Sequence, residues 1–376
     1  MAQRKIMIIS GDAFDDLYGG RLAYALRVTL PDVSLVGVGG TIMQQAGVEL
    51  LYNLTNLENL GGLEVLRASH VVKRLLQRIT ESMDSLHPQL IIQIGLPVFH
   101  FKLIEIAKGK GIPIVYYNSP LNWDLTEVKA SQLAKLVNKI IGVSRLETEF
   151  CTARGIDATF AGHPLVDIVA SKDGLSGINL SDDYPAVAIY PGTNETEVKT
   201  YLPTILKAIK RIHVESGPIH AVVAASHLVK RELYNAIIAK SNVVNIQVTD
   251  DVFAILRQAK AAVVTSGSAS IGAALIKVPA LAVHKHPATA YFSNKMLPSK
   301  PYCALVNMAL QELVMPELIQ NDFSETKIAS AVNMLLYDDA ARNRYVAKLE
   351  RLADEFGNDG TIDRAAEEIA NMLQVG

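Results

Sequence analysis

Two runs of strand–helix alternation, separated by a break near the middle, constrain the fold of this chain more than any other feature. In the first run, short Val/Ile/Leu-rich segments at 5–10, 34–38, 90–94, 113–117 and 139–143 read as strands. Between them, 18–28, 41–47, 69–86, 102–110 and 128–137 carry helical periodicity. The strands are apolar on both faces, as a parallel sheet covered by helices requires. From Gly162 to Asp183 the pattern fails, and Pro164, Gly174 and Gly177 with scattered Ser and Asp mark an inter-domain connector. A second alternation follows, with strands at 186–190, 220–224, 244–248, 261–264 and 280–283 and helices at 199–215, 228–239, 251–258 and 271–277. The stretch 326–373 reads as helical throughout. A chain of 376 residues is too long for one compact core. The expectation is an α/β protein of two Rossmann-like, doubly wound domains facing a cleft, at 1–168 and 169–345, with a helical tail at 346–376.

Composition narrows the function classes. A formal net charge of −2 argues against a general nucleic-acid binder. Cys151 and Cys303 lie far apart, so neither a disulfide framework nor a cysteine-based zinc site is indicated. The first strand follows the N-terminal residues directly, with no apolar signal region before it, and a reducing cytosol fits. The least charged run, 261–276, is too short and too interrupted by Ser and Gly to cross a bilayer.

The chemistry-bearing segments sit where strands end. In 261–275 a β-rich run breaks at Ser266, Gly267 and Ser268, and small helix-forming residues follow at once. A helix that starts this way offers free N–H groups and the positive end of its dipole to an anion. Gly192 and Thr193 close another strand in the same manner. The expectation is a phosphate-bearing ligand held largely by main-chain amides; an ordinary strand–turn–helix is the alternative. Gly37-Val38-Gly39-Gly40 is a poor dinucleotide fingerprint, because its third glycine is misplaced and Glu49 comes too soon.

Ordered motifs along essentially the whole chain resemble the lipid-A-disaccharide synthase family, inverting glycosyltransferases of the GT-B fold. The family's opening Gly-Glu-x-Ser-Gly-Asp-x-x-Gly falls on Gly11 to Gly19, with Asp16 in the place of its Asp. Its Gly-x-Gly-Gly-x-x-Met-x-x-Ala-Gly is intact at Gly37, Gly39, Gly40, Met43, Ala46 and Gly47. Leu60-Gly61 to Leu66, Tyr117 to Trp123, Leu305-Val306-Asn307 and Pro316 to Gln320 match further family segments in order, and 162–167 adds Gly-His-Pro-Leu-Val-Asp. The resemblance implies transfer of diacylglucosamine from UDP-2,3-diacylglucosamine to the 6-hydroxyl of 2,3-diacylglucosamine 1-phosphate. The product is a β-1,6 disaccharide in lipid A biosynthesis, and no metal or other cofactor is called for. It also implies a cytoplasmic protein resting peripherally on the inner membrane of a Gram-negative-type bacterium, with a homo-oligomer left open.

Four charged family positions are lost. Gly95 and Val98 stand where the pattern has two carboxylates, the one at 95 usually held essential, Asn194 where it has an arginine, and Gly272 where it has a glutamate. The remaining candidates for general base are Asp12, Asp16 and His100. Asp16 is the best of these as acid/base or acceptor-orienting residue, but an N-cap for the helix near Tyr18 is the favoured role for it. The donor-side set is Gly192, Thr193, Asn194, Ser266, Gly267, Ser268, Asn307 and Gln320, a helix cap being the alternative for Asn307. Glu197 is a retained family carboxylate or else a solvated first-turn glutamate. His163 reads as part of a hinge rather than a catalytic group. The helix carrying Lys73, Arg74 and Arg78 among apolar residues suits an anionic leaflet, or else covers a sheet. Two readings compete with the active synthase: a pseudo-glycosyltransferase that binds a nucleotide sugar, a lipid or a protein partner without catalysis, and a nucleotide-sugar 2-epimerase.

Overall fold

The computed structural model describes residues 4–54, 69–95, 100–119, 127–171, 180, 183–265, 267–285 and 302–375. The chain divides into two compact units, Met1–Ala170 with Ala353–Gly376, and Ser171–Leu352. The stretch expected as a separate tail is therefore shared: through Leu352 it belongs to the second unit, and from Ala353 it joins the first.

The first unit is built on a seven-stranded sheet in the order β3-β2-β1-β4-β5-β6-β7. The strands are β1 (Arg4–Ile9), β2 (Val33–Gly39), β3 (Glu49–Asn53), β4 (Leu90–Ile94), β5 (Ile114–Tyr117), β6 (Lys139–Gly142) and β7 (Ala158–Phe160). Its helices are α1 (Ala13–Thr29), α2 (Thr41–Gln45), α3 (Ser69–Leu86), α4 (His100–Gly109), α5 (Glu127–Leu136), α6 (Arg145–Thr152) and α7 (Leu165–Ala170). All neighbouring strands pair in parallel, and the chain order reverses between β1 and β4. β1 packs so closely on β2 that a Cβ at Gly37 would overlap the carbonyl of Ile8, so glycine at that position serves the sheet.

The second unit repeats the plan with six strands in the order β10-β9-β8-β11-β12-β13. They are β8 (Ala186–Tyr190), β9 (His220–Ala224), β10 (Ile246–Thr249), β11 (Ala261–Thr265), β12 (Ala280–His284) and β13 (Glu317–Ile319). The helices are α8 (Glu195–Ser216), α9 (Arg231–Ser241), α10 (Val252–Gln258), α11 (Ser268–Leu275), α12 (Leu305–Leu310), α13 (Glu325–Tyr337) and α14 (Asp339–Lys348). Val187, Ile189, Val198, Leu202, Ile205 and Leu206 form the centre of its core and are wholly buried. Each such side chain contributes roughly 1.5–3 kcal/mol relative to exposure.

The remaining helices, α15 (Leu352–Phe356) and α16 (Thr361–Val375), close the chain. The stretch read as continuous helix is broken at Asp338, which ends α13 and caps α14, and at Gly357 and Gly360, both at φ +84. α16 is latched to the first unit by Asp167, whose carboxylate accepts the N–H groups of Gly360 and Ile362 and the hydroxyl of Thr361. Asp167 lies on α7, so 165–170, expected as connector, is helical and belongs to the first unit. The Gly174 and Gly177 part of that expectation lies outside the described residues.

Candidate functional site

In each unit the point where strand order reverses is a crevice at the carboxyl ends of two neighbouring parallel strands, the place where doubly wound sheets take ligands. In the first unit these strands are β1 and β4; in the second they are β8 and β11.

After β1 the chain turns through Gly11 and Asp12 into α1. Asp12 caps that helix, its Oδ1 accepting the N–H groups of Phe14 at 2.8 Å and Asp15 at 2.9 Å. The helix therefore starts five residues before Tyr18, and the expected cap role of Asp16 falls to Asp12. Asp16 is wholly buried one turn further on. Its carboxylate accepts the N–H groups of Gly40 at 2.6 Å and of Ile42 and Met43, each at 3.1 Å. It holds the N-terminus of α2, which corrects its reading as acid/base or acceptor-orienting residue: the group is sealed off and bound on both oxygens.

Asp15, which the sequence reading passed over, stands at the crevice itself. One carboxylate oxygen accepts the N–H of Gly11 at 3.2 Å, and the Asn118 side chain donates to the same group. Burial raises its proton affinity well above the usual carboxylate range, and the negative charge of Asp12 adds to that. Across the crevice β4 is followed by Gly95, whose backbone is left-handed at φ +64. A Cβ there would overlap both oxygens of Asp15. The Tyr116 hydroxyl donates to the Gly95 carbonyl at 2.6 Å and fixes this turn. His100 is the first residue of α4, and its side chain lies outside the described residues.

Glu147 and His163 are also buried in this unit. Glu147 accepts the Ser119 hydroxyl at 2.5 Å and the N–H of Val143 at 2.9 Å, and burial pushes its carboxyl up to about 7. The spacing of Ser144 and Glu147 is a capping-box signal, and the Ser144 hydroxyl does accept the N–H of Glu147. His163 is held edge-on by Tyr18 and Phe356, its Nδ1 accepts the N–H of Leu165, and burial lowers its pKa to about 3. It stays neutral and serves packing within the first unit.

In the second unit, Gly192 and Thr193 follow β8, and Gly267 and Ser268 follow its neighbour β11, so these two turns share one crevice. Their chemistry differs. The Thr193 N–H is occupied by Glu197 Oε2 at 2.7 Å, and the Thr193 hydroxyl faces the same oxygen at 3.3 Å. Asn194 is the N-cap of α8, its side chain accepting the N–H of Glu197 at 3.0 Å. That corrects the reading of Thr193 as an amide donor and of Asn194 as a donor-side ligand: both serve the helix start. Glu197 is not a solvated first-turn glutamate either, because it folds back onto the turn.

The N-terminus of α11 has the opposite character. Gly267 is its N-cap; among the described residues no side chain caps it, and a Cβ at Gly267 would meet nothing within 4 Å. Ser268 opens the helix, nearly buried, and the Ser270 hydroxyl donates to the Gly267 carbonyl at 2.8 Å. Ser266 lies outside the described residues. At Gly272 a Cβ would stand 3.0 Å from the Phe253 ring, so the phenylalanine crowds the place of the missing glutamate. Asn307 is wholly buried, donating to Met315 O and Glu317 and accepting the N–H groups of Val314 and Met315. It staples the turn after α12, which corrects both its reading as a ligand and the helix-cap alternative. Gln320 is half-buried at φ +53, just after β13.

Among the described residues no group of three or more His, Cys, Asp or Glu is placed to hold a metal, and no helix is long and apolar enough to cross a membrane. α3 packs Leu75, Ile79 and Met83 inward and leaves Lys73, Arg74 and Arg78 exposed.

Two doubly wound units, each with a strand-order reversal, define the class: an α/β protein of the GT-B type. S. aureus MnaA, solved with UDP, superposes with a TM-score of 0.71 at 13% identity over 99% of this chain and 98% of its own. The calicheamicin glycosyltransferase CalG4 does so at 0.58 and 17% identity, over 100% and 99%. Both likenesses concern the fold. The sequence goes further. The family model described as lipid-A-disaccharide synthetase matches residues 6–369, and the lipid-A-disaccharide synthase of Syntrophus aciditrophicus is 30% identical over 371 residues, covering 97% of each chain. This chain belongs to the lipid-A-disaccharide synthase family and is a glycosyltransferase of that type.

Proposed function

We propose that this protein transfers a 2,3-diacylglucosamine unit from its UDP ester to the 6-hydroxyl of 2,3-diacylglucosamine 1-phosphate, releasing UDP and forming a β-1,6 disaccharide. The observation that carries the reading is the uncapped start of α11 at the switch point of the second unit. Its N–H groups and helix dipole offer a diphosphate a preorganised site, with no side-chain cap and no acidic residue in the first turn among the described residues. As the glycosidic bond to phosphate breaks, negative charge builds on the diphosphate, and donors fixed in advance favour that state over the ground state. This mode needs less from side chains than an arginine clamp, which fits a chain with Asn194 as a helix cap.

The acceptor belongs to the first unit in this reading, at the β1/β4 crevice. The exposed Lys73, Arg74 and Arg78 of α3 suit a peripheral approach to an anionic leaflet, where lipid substrates reside. Purified protein incubated with both lipid substrates should yield disaccharide and UDP in equal amounts. UDP binding with no disaccharide would favour a binding-only scaffold; neither binding nor product would refute both.

A further inference from the structure

The first unit poses a chemical problem for that reaction, because a sugar hydroxyl is a very weak acid and needs a positioned base. Of the groups considered from sequence, Asp16 is bound on both oxygens by the α2 amides, and Asp12 is engaged as the cap of α1. Asp15 differs from both. Asp12 already caps α1, so the Asp15 carboxylate is not needed there and instead leans over the strand ends, against Gly95. Gly11, Asp12 and Asn118 are its donors. A carboxylate offers about four lone-pair sites, and the described residues fill three, which leaves an acceptor position for a substrate hydroxyl.

The relation between positions 15 and 95 is reciprocal. The Asp15 oxygens fill the space into which any side chain at position 95 would project, and Gly95 is left-handed, where an L side chain is strained. One carboxylate can occupy this spot at the β1/β4 switch point, and it comes from helix α1 rather than from the end of β4. Resting on the transferase reading above, we infer that Asp15 is the catalytic base, taking the proton of the acceptor 6-hydroxyl. As that oxygen bonds to C1 of the donor sugar, the bond from C1 to the β-phosphate oxygen breaks and its electron pair leaves with UDP. The proton on Asp15 passes to solvent after the products depart.

The surroundings suit this task. At 5% exposure Asp15 is nearly but not wholly closed off, which limits competition from water. The titratable groups facing it are Asp12 from the cap and Tyr116 from β5, with Glu147 beyond the tyrosine. Burial and Asp12 both strengthen it as a base, while Gly11 and Asn118 hold it in place.

The test compares the full-length protein with Asp15→Asn and Asp12→Asn, measuring disaccharide formation from pH 4 to 9 and UDP binding by calorimetry. Asparagine at 15 can still accept the Gly11 N–H, and asparagine at 12 is as good an N-cap as aspartate, so both variants should fold. Asp15→Asn should lower kcat by about 10²–10⁴-fold with UDP affinity within twofold. The rising limb of kcat/KM against pH should lie above the ordinary aspartate range in the unaltered protein and vanish in Asp15→Asn. It should move to lower pH in Asp12→Asn, because a negative charge beside Asp15 is gone. That shift separates Asp15 from the acceptor's own phosphate, which no change at residue 12 would retune. Product from both the unaltered protein and Asp15→Asn, with the same limb, overturns the assignment and leaves the transferase reading standing. No product from the unaltered protein overturns both.

Discussion

Asp16 separates a structural carboxylate from a catalytic one, and Asp16→Ala makes the distinction measurable. Its carboxylate accepts three backbone N–H groups, those of Gly40, Ile42 and Met43, at 2.6, 3.1 and 3.1 Å. Hydrogen bonds to a charged group contribute roughly 1.5–3 kcal/mol each, but three bonds to one carboxylate do not add in full. Loss of a cap alone costs about 0.5–2 kcal/mol, and the buried Gly40 amide would be left without its acceptor. Together these give about 3–5 kcal/mol, a large share of the 5–15 kcal/mol typical of a folded domain. With a urea slope near 2 kcal/mol per molar, the unfolding midpoint should fall by about 1.5–2.5 M. Urea titration followed by circular dichroism reads the midpoint, and hydrogen exchange over residues 40–43 localises the change. Asp16→Asn keeps one acceptor oxygen and should lose about half as much, with kcat per folded molecule within about threefold of the unaltered protein. A midpoint shift below about 0.3 M combined with a hundredfold drop in kcat would refute the structural assignment and return Asp16 to the chemistry.

Two other outcomes follow from buried groups. Glu147 is pushed up to about 7 in the folded protein from the ordinary glutamate value near 4.5. The folded state then binds more protons than the unfolded state between those two values, so stability falls as pH rises through that window, by on the order of 3 kcal/mol. Glu147→Gln should flatten this dependence in urea titrations at pH 4.5, 6 and 7.5; an unchanged slope would assign it elsewhere. Gly95→Asp should destabilise the first unit, because its carboxylate meets Asp15 and its backbone sits at φ +64. Asp15→Gly in the same chain should relieve part of that loss, with a coupling of about 1–3 kcal/mol in a double-mutant cycle; additive effects would show that the two positions do not compete for one space.

The layered α/β plan was legible because it rests on local pattern. The expected strands at 90–94, 186–190 and 220–224 have the observed bounds of β4, β8 and β9, since buried parallel strands are short apolar runs between turn residues. Three-residue strands such as β7 and β13 carry too few residues to show a period, and both were missed. The site was legible only in part. Gly267 and Ser268 announce an open helix start in sequence, and among the described residues no side chain caps it in the structure. Thr193 announces the same and is closed by Glu197, because a carboxylate four residues on can fold back over the turn. Asp16 and Asn307 match family positions, yet their partners lie 24 to 27 and 7 to 10 residues away, distances at which sequence pattern says nothing about hydrogen bonding. Asp15 was invisible for a similar reason: its meaning comes from Gly95, eighty residues on in the chain and across one strand pair.

Gly267→Asp addresses the account of donor binding most directly. Position 267 has φ −75 and open space for a side chain, so aspartate there should cap α11 and leave stability unchanged or raised by a few tenths of a kcal/mol. Its carboxylate would also take up the amides meant for the diphosphate and repel a second anion. Calorimetry on the two proteins should show UDP affinity at least tenfold weaker in the variant, about 1.4 kcal/mol, with unfolding midpoints that agree. Equal UDP affinity in two equally stable proteins would contradict the claim that the start of α11 holds the nucleotide's phosphates.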